Sequence, residues 1–245
     1  MKQYTYDSFS ELRNEYKKMI YGIETAFPSL RRLQQRIAET RAGGTYTVET
    51  PVVYNTALDA FTVHDEIKLI LVGDNPGRRE QEERNRAYLV GNSGKLAASF
   101  FGRFPELGID FRKNVLILNK TPVHTARTNE LLELTASGGD ELVRIVRKSQ
   151  EDCARLLFQF WNIVSHDTPV PVWIIGYSEM KKKGIFETYT AELARLARQD
   201  SRFYQSLYFY RHFSMNQFTI DLNKKRAPGE SVQNALARIG KEYRF

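Results

Sequence analysis

Five polar residues close apolar runs in a pattern that could serve one reaction centre: Asp74, Asn75, Asn119, His212 and Ser214. Asp74 and Asn75 end Lys68-Leu-Ile-Leu-Val-Gly-Asp-Asn-Pro-Gly77, Asn119 ends Asn114-Val-Leu-Ile-Leu-Asn119, and Arg211-His212-Phe213-Ser214 follows Leu207-Tyr-Phe-Tyr210. A carboxylate, two carboxamides and an imidazole together suit a heterocycle with alternating donors and acceptors, and two of them can move a proton. Each alone has a simpler reading. A strand-end Asn is commonly a turn former, Asp74 could cap a helix, and a lone His is often a structural hydrogen-bonder. Their recurrence at successive strand ends is what points to a site.

The elements that must position them are parallel strands. Leu69 to Val72 are continuously apolar, as in a strand covered on both faces; Gly73 lets the backbone turn, and Pro76-Gly77 stops the strand. Further strands are predicted over Asn114–Asn119, Val170–Ile175 (ending in Gly176-Tyr177) and Leu207–Tyr210. Helical segments alternate with them: around Leu96–Phe101, from Ser149 to Ser165 after a flexible-looking Ser137-Gly138-Gly139, over Phe186–Gln199, and over Ser231–Tyr243 after a basic loop, Asn223–Gly229. Arg78–Arg86 is expected to be a solvated helix or loop. The alternation predicts a three-layer α/β/α domain with a central four-stranded parallel sheet, whose carboxyl ends share the edge where ligands bind. Ahead of it, a capping box (Ser8, Glu11) predicts a first helix along Leu12, Tyr16, Met19, Ile20 and Ile23. A second spans Ser29–Arg41 and stops at Gly43-Gly44, and Thr45–Val53 forms a small β element. The expectation is one domain over residues 1–245, its helical and small β extension covering about residues 1–60.

Composition excludes several classes. With 42% hydrophobic and 12% aromatic residues in 245, the chain has the makings of a buried core rather than disorder. Lys and Arg outnumber Asp and Glu by 36 to 29, and the +7 charge is compatible with a polyanionic partner. One cysteine, Cys153, rules out an internal disulfide and any four-cysteine metal or iron–sulfur site, and His64, His124 and His166 lack metal-ligand spacing. No metal or cofactor is expected. Gly91-Asn-Ser-Gly-Lys-Leu96 fails as a phosphate loop, with Leu89 where the first Gly belongs and Leu96 in place of Ser or Thr, and Gly-x-Ser-x-Gly is absent. No apolar run approaches ~20 residues and no signal-peptide core is present, so no membrane partner and a cytoplasmic location are expected.

With these residues in view, the sequence resembles the uracil-DNA glycosylase superfamily. Gly73-Asp-Asn-Pro-Gly77 is similar to its first motif, Val115-Leu-Ile-Leu-Asn119 with Pro122-Val123 to its second strand, and Arg211-His212-Phe213-Ser214 to its final His-Pro-Ser motif, with Phe213 replacing Pro. Leu89-Val-Gly-Asn-Ser-Gly-Lys-Leu96 resembles the Phe-Val-Gly-x-x-Gly-x-Leu segment of the iron–sulfur branch, whose cysteines are missing here, so its cofactor is not implied. The four motifs stand in the right order across roughly residues 65 to 220. The resemblance implies a glycosylase that hydrolyses uracil or a related damaged base from DNA. Asn119 would read the base edge, His212 would donate to O2, and Asn75 or Asp74 would handle the water, with Asn75 favoured by the branches that carry Asn there. Because neighbours in an extended backbone diverge, only one of that pair should face the centre. Gly73, Pro76, Gly77 and Ser214 would wall the pocket. Leu89 falls where the family stacks a Phe on the base, with Tyr88 as a substitute. Phe213, Met215 or Phe218 could enter the base stack. Arg78, Arg79, Lys95, Lys120, Lys224, Lys225, Arg226 and the Lys181–Lys183 run could meet phosphates. The chain would act on DNA as a monomer. The rival from another class is a glycosylase-like protein that binds a base, nucleotide or nucleic acid without cutting it, favoured by the departures at Phe213 and Leu89.

Overall fold

The computed structural model describes residues 1–41 and 44–244. Its order is α1 (Gln3–Ala26), α2 (Leu30–Thr40), β1 (Leu69–Gly73), α3 (Asn92–Arg103), β2 (Val115–Asn119), α4 (Glu130–Val164), β3 (Val172–Ile175), α5 (Glu187–Gln199), α6 (Ser201–Ser206), β4 (Leu207–Tyr210), α7 (Gln217–Lys225) and α8 (Val232–Ile239). The strands pair in the order β2-β1-β3-β4, all parallel, with Gly73 opposite Asn119 and Ile174 opposite Phe209. The expected three-layer α/β/α architecture is present.

Side chains alternate across the sheet as the pleat requires. Ile70, Val72, Leu116, Leu118, Val172, Ile174, Leu207 and Phe209 join a core with α1, α2, α4, α5 and α6. Leu69, Leu71, Val115, Ile117, Trp173, Ile175 and Tyr210 face the other way, onto α3, α7 and α8. The chain leaves β1 for β2 on one side through α3, then returns past β1 to β3 through α4 on the opposite face. The crevice between the carboxyl ends of β1 and β3 is therefore a topological switch point.

Several elements differ from the sequence expectation, each for a local reason. α1 starts at Gln3 rather than at a Ser8 cap, because Thr5 and Phe9 already extend its buried stripe of Leu12, Tyr16, Ile20 and Ile23. α2 ends at Thr40; of the expected Gly43-Gly44 stop, Gly43 lies outside the described residues. Residues 45–53 form no strand among the described residues. Side-chain carbonyls take over their N–H groups, Gln35 Oε1 accepting from Val48 and Gln81 Oε1 from Glu49 and Thr50, and only Val52 bridges Val123. The Arg78–Arg86 segment takes the loop alternative as a series of turns, but it is not fully solvated, since Glu80 and Gln81 are buried. α4 begins nineteen residues before Ser149. Gly139, at φ +67° and ψ −168°, is the joint between its two rods, so the Gly pair that reads as a loop is a kink inside one long element. α6, capped by Asp200 through the N–H groups of Arg202 and Phe203, and α7, which takes in the start of the expected basic loop, carry little apolar periodicity and are unexpected. Among the described residues no helix is long and apolar enough to cross a membrane.

Phe100 of α3 sits at the centre of the second core. Its ring lies 4.8 Å from Phe218, 5.0 Å from Phe104, 6.2 Å from Phe213 and 6.4 Å from Trp173. Phe100→Ala should cost about 3–5 kcal/mol in urea denaturation, because a fully buried ring leaves a cavity that rigid neighbours fill poorly.

Candidate active site at the carboxyl ends of the strands

A cleft of about 810 Å³ opens at this sheet edge, lined from β1 by Gly73, Asp74, Asn75 and Gly77, from β2 by Asn119, and after β4 by His212, Ser214 and Met215. Behind its lining lies a residue expected at the surface. Lys120 is 0% exposed, so it cannot meet a phosphate. Asn119 lies beside Gly73, while Lys120 turns beneath the strand ends and donates to Asp74 Oδ1 and to the carbonyl of Ile175, each at 2.5 Å. Its own N–H is shared between the carbonyls of Gly73 (3.1 Å) and Asp74 (3.0 Å). One lysine thus ties together the ends of β2, β1 and β3. Burial drives its pKa down, against the opposing pull of Asp74.

Two glycines make room for this arrangement. A Cβ on Gly73 would stand 2.6 Å from Asn119 Oδ1, and a Cβ on Gly176 (φ +81°) would stand 2.6 Å from Asp74 Oδ1. Their absence lets the carboxamide and the carboxylate lie close over neighbouring strand ends. Asn119 Nδ2 is buried and has no hydrogen-bond partner among the described residues. A buried donor left unpaired costs about 1–3 kcal/mol, so this one is poised for a ligand acceptor.

His212 has a defined tautomer. The Ser214 N–H donates to its Nδ1 at 3.0 Å, which makes Nδ1 an acceptor and places the ring proton on Nε2. Ser214 Oγ, 2.9 Å from the same nitrogen, adds a second contact. Burial lowers the imidazole pKa, with Asp74 opposing and Lys120 assisting, so the ring is a neutral donor.

Asp74 and Asn75 both line the cleft, against the expectation that only one would. Their partners separate them. Asn75 Nδ2 is engaged with the Thr125 hydroxyl (2.8 Å) and carbonyl (3.3 Å), tying the first turn to the segment after β2. Among the described residues, Asp74 Oδ2 hydrogen-bonds only the Thr128 hydroxyl, at 3.4 Å, while Oδ1 takes the Lys120 contact.

Of the other expected residues, Gly77, Arg78 and Leu89 also line the cleft. Pro76 is buried behind it, where its carbonyl accepts from His124. Tyr88 is a core residue, its hydroxyl donating to the Val53 carbonyl at 2.6 Å and meeting Tyr16 at 3.1 Å, so it offers no face to a base. Phe213 is 1% exposed and stacked on Phe218 at 4.4 Å; both fill the space between β4, α3 and α7 and cannot enter a base stack. Met215 alone of that trio is free, 80% exposed on a turn with φ +51°. Lys95 and Lys224 are exposed but outside the cleft, and Lys225 is engaged with Glu242, Tyr243 and Asp221.

Arg79, Lys181 and Arg211 were expected near this edge; Glu80, Arg41 and the Thr125–Thr128 loop were not singled out in advance. Glu80 bridges the turn, accepting from the Gly77 N–H (2.6 Å) and the Leu89 N–H (2.5 Å); an acid three residues after Gly77 has the spacing of a capping side chain and was a usable signal. Thr125–Thr128 come from an irregular loop with no periodicity to mark them. Arg41, Arg79, Arg127, Lys181 and Arg211 join Arg78 in a basic lining. No family model matches the chain, and no curated protein matches it either.

His124 backs the first turn. Its Nδ1 donates to the Pro76 carbonyl at 2.8 Å, its Nε2 pairs with the Tyr46 hydroxyl at 2.9 Å, and burial lowers its pKa from 6.5 to about 4. Protons bind the unfolded imidazole first, so its contribution is full above pH 6.5 and is lost as pH falls toward 4. The lost stability is about 3 kcal/mol. Glu80, raised by burial from 4.5 to about 7, has the opposite slope: the native state holds its proton, and stability declines as pH rises across that window. Comparing His124→Asn with the wild type cancels the Glu80 contribution. The stability advantage of the wild type in urea denaturation should shrink by about 3 kcal/mol between pH 7 and pH 4.

Proposed function

We propose that this chain is a monofunctional DNA glycosylase that hydrolyses the N-glycosidic bond of uracil or a related damaged base, as a cytoplasmic base-excision-repair enzyme. The observation that carries the proposal is the unpaired Asn119 Nδ2 in a cleft that also holds the His212 donor and the Asp74 carboxylate. A carboxamide can donate to a ring carbonyl and accept from a ring N–H, the pattern along one edge of uracil. As the C1′–N bond breaks, its electron pair moves onto the base, and His212 Nε2–H donates to the oxygen where that charge gathers. A fixed donor there needs no reorganisation. A water oxygen bonds to C1′ from the other side while Asp74 accepts its proton. Asp74 takes this role in place of Asn75, whose amide is committed to Thr125 and which cannot take a proton in any case. The basic lining, with Arg78, Arg79, Arg127 and Lys181, supplies sequence-independent phosphate contacts.

The second reading, binding of a base or nucleic acid without cleavage, draws on the burial of Tyr88 and Phe213 and on the aliphatic Leu89, which leave the family's stacking position without a ring. Incubation with uracil-containing single- and double-stranded oligonucleotides, followed by alkaline cleavage of abasic sites, separates the two. The enzyme should yield strand breaks, with Asn119→Ala and His212→Ala each slowing product formation by about 100- to 1000-fold, the usual effect of removing one fixed transition-state donor. Tight binding with no product from any deaminated or alkylated base would reject the glycosylase and favour the binding protein.

A further inference from the structure

We propose that Lys120 is a positioning residue for the water-handling carboxylate: it holds Asp74 by Oδ1, so that Oδ2, on the Thr128 side, is presented to the cleft. This rests on the glycosylase reaction proposed above. Lys120 is sealed from solvent, with its Nζ on Asp74 Oδ1 and the Ile175 carbonyl and 5.0 Å from the centroid of the Phe186 ring. It therefore cannot reach C1′ or form an imine with an opened sugar, and it acts only through what it touches. The site has an apolar side, and an aliphatic side chain of similar volume would fill it without the cost of desolvating a cation. A charge placed there serves the carboxylate it hydrogen-bonds, Asp74. Both Asp74 oxygens are then assigned: Oδ1 to Lys120, and Oδ2 to the long 3.4 Å contact with Thr128 that a bound water can share or displace. Gly176 has no Cβ to push the carboxylate aside, so the lysine, rather than steric confinement from β3, selects the rotamer. In the reaction the water oxygen forms the bond to C1′, the C1′–N pair leaves with the base, and the water proton passes to Oδ2. Only a carboxylate held in place can meet that proton along the attack path.

The test is epistasis in single-turnover kinetics on uracil-containing oligonucleotides. Lys120→Met should lower kcat by about 100-fold with KM changed less than about 3-fold, the signature of a displaced catalytic group rather than lost substrate binding. Lys120→Arg should recover part of that loss. Asp74→Asn should also be slow, and adding Lys120→Met to it should reduce kcat by no more than about 3-fold further, since a residue acting through Asp74 has nothing left to position. Should Lys120→Met fail to fold, with Asp74 left buried beside no cation, the comparison of Asp74→Asn with Asp74→Asn/Lys120→Met still decides, because the double variant removes both charges. Additive losses, or a raised KM at unchanged kcat, would overturn the proposal. A wild type without product would instead reject the glycosylase reaction itself.

Discussion

The arrangement of the cleft depends on one buried ion pair, Lys120 with Asp74. Taking both charges from water costs several kcal/mol per ion, recovered only where the geometry is tight and the remaining hydrogen-bonding capacity is used. Here it is used by backbone. Nζ also binds the Ile175 carbonyl, and the Lys120 N–H spans the Gly73 and Asp74 carbonyls, so one residue joins three strand ends beyond the last ladder bonds. The sheet order makes this possible. Because β1 lies between β2 and β3, a side chain leaving the end of β2 must pass under β1 to reach β3, and Asp74 is what it meets on the way.

The other polar groups are arranged around that pair. Gly73, opposite Asn119 in the ladder, leaves space for the carboxamide, and Gly176 does the same for the carboxylate. His212 is set from the far edge, where the Ser214 N–H fixes its tautomer and Phe213 and Phe218, packed against Phe100, anchor the turn below. On the proposed reading, a neutral imidazole with its proton on Nε2 can donate to growing negative charge on a base without placing a full cation beside Lys120. The hydrophobic core on the α3 face is thus part of the site's support.

How much of this was legible in the sequence follows from what each signal measures. Apolar runs bounded by Gly, Asn and Pro report burial and chain reversal, and they located all four strands, the shared edge, and Asp74, Asn119 and His212 on it. Residue type reports preference, not position. Lys120 and Tyr88 look like surface and stacking residues because lysines are usually solvated and the Tyr88 ring neighbours a motif. Yet each points away from the cleft, into partners supplied by residues 35 to 72 positions distant in sequence. Phe213 stands where a proline was the comparison, and no local rule says which side of β4 it fills. Thr125–Thr128 reach the cleft because Asn75 and the bridge from Val52 to Val123 hold that loop, interactions with no periodic trace.

The departure at Leu89 follows from the same constraint. Its N–H is held by Glu80, its backbone adopts φ +53°, and its side chain joins the core containing Phe100 and Phe101. Gly94 lies so close that a Cβ there would fall 1.5 Å from the Leu89 carbonyl oxygen. This loop is folded tightly onto the start of α3, with Leu89 spending most of its surface on packing. Tyr177, after β3, is the single Phe, Tyr or Trp lining the cleft among the described residues, and it is stacked on Tyr243 at 3.9 Å. On the proposed reading, a base in this cleft is therefore held mainly by the hydrogen-bonding edge that Asn119 and His212 present, and less by a ring supplied from the loop after β1. Recognition then depends on how accurately those two side chains are held, Asn119 in the space that Gly73 leaves and His212 by the Ser214 N–H.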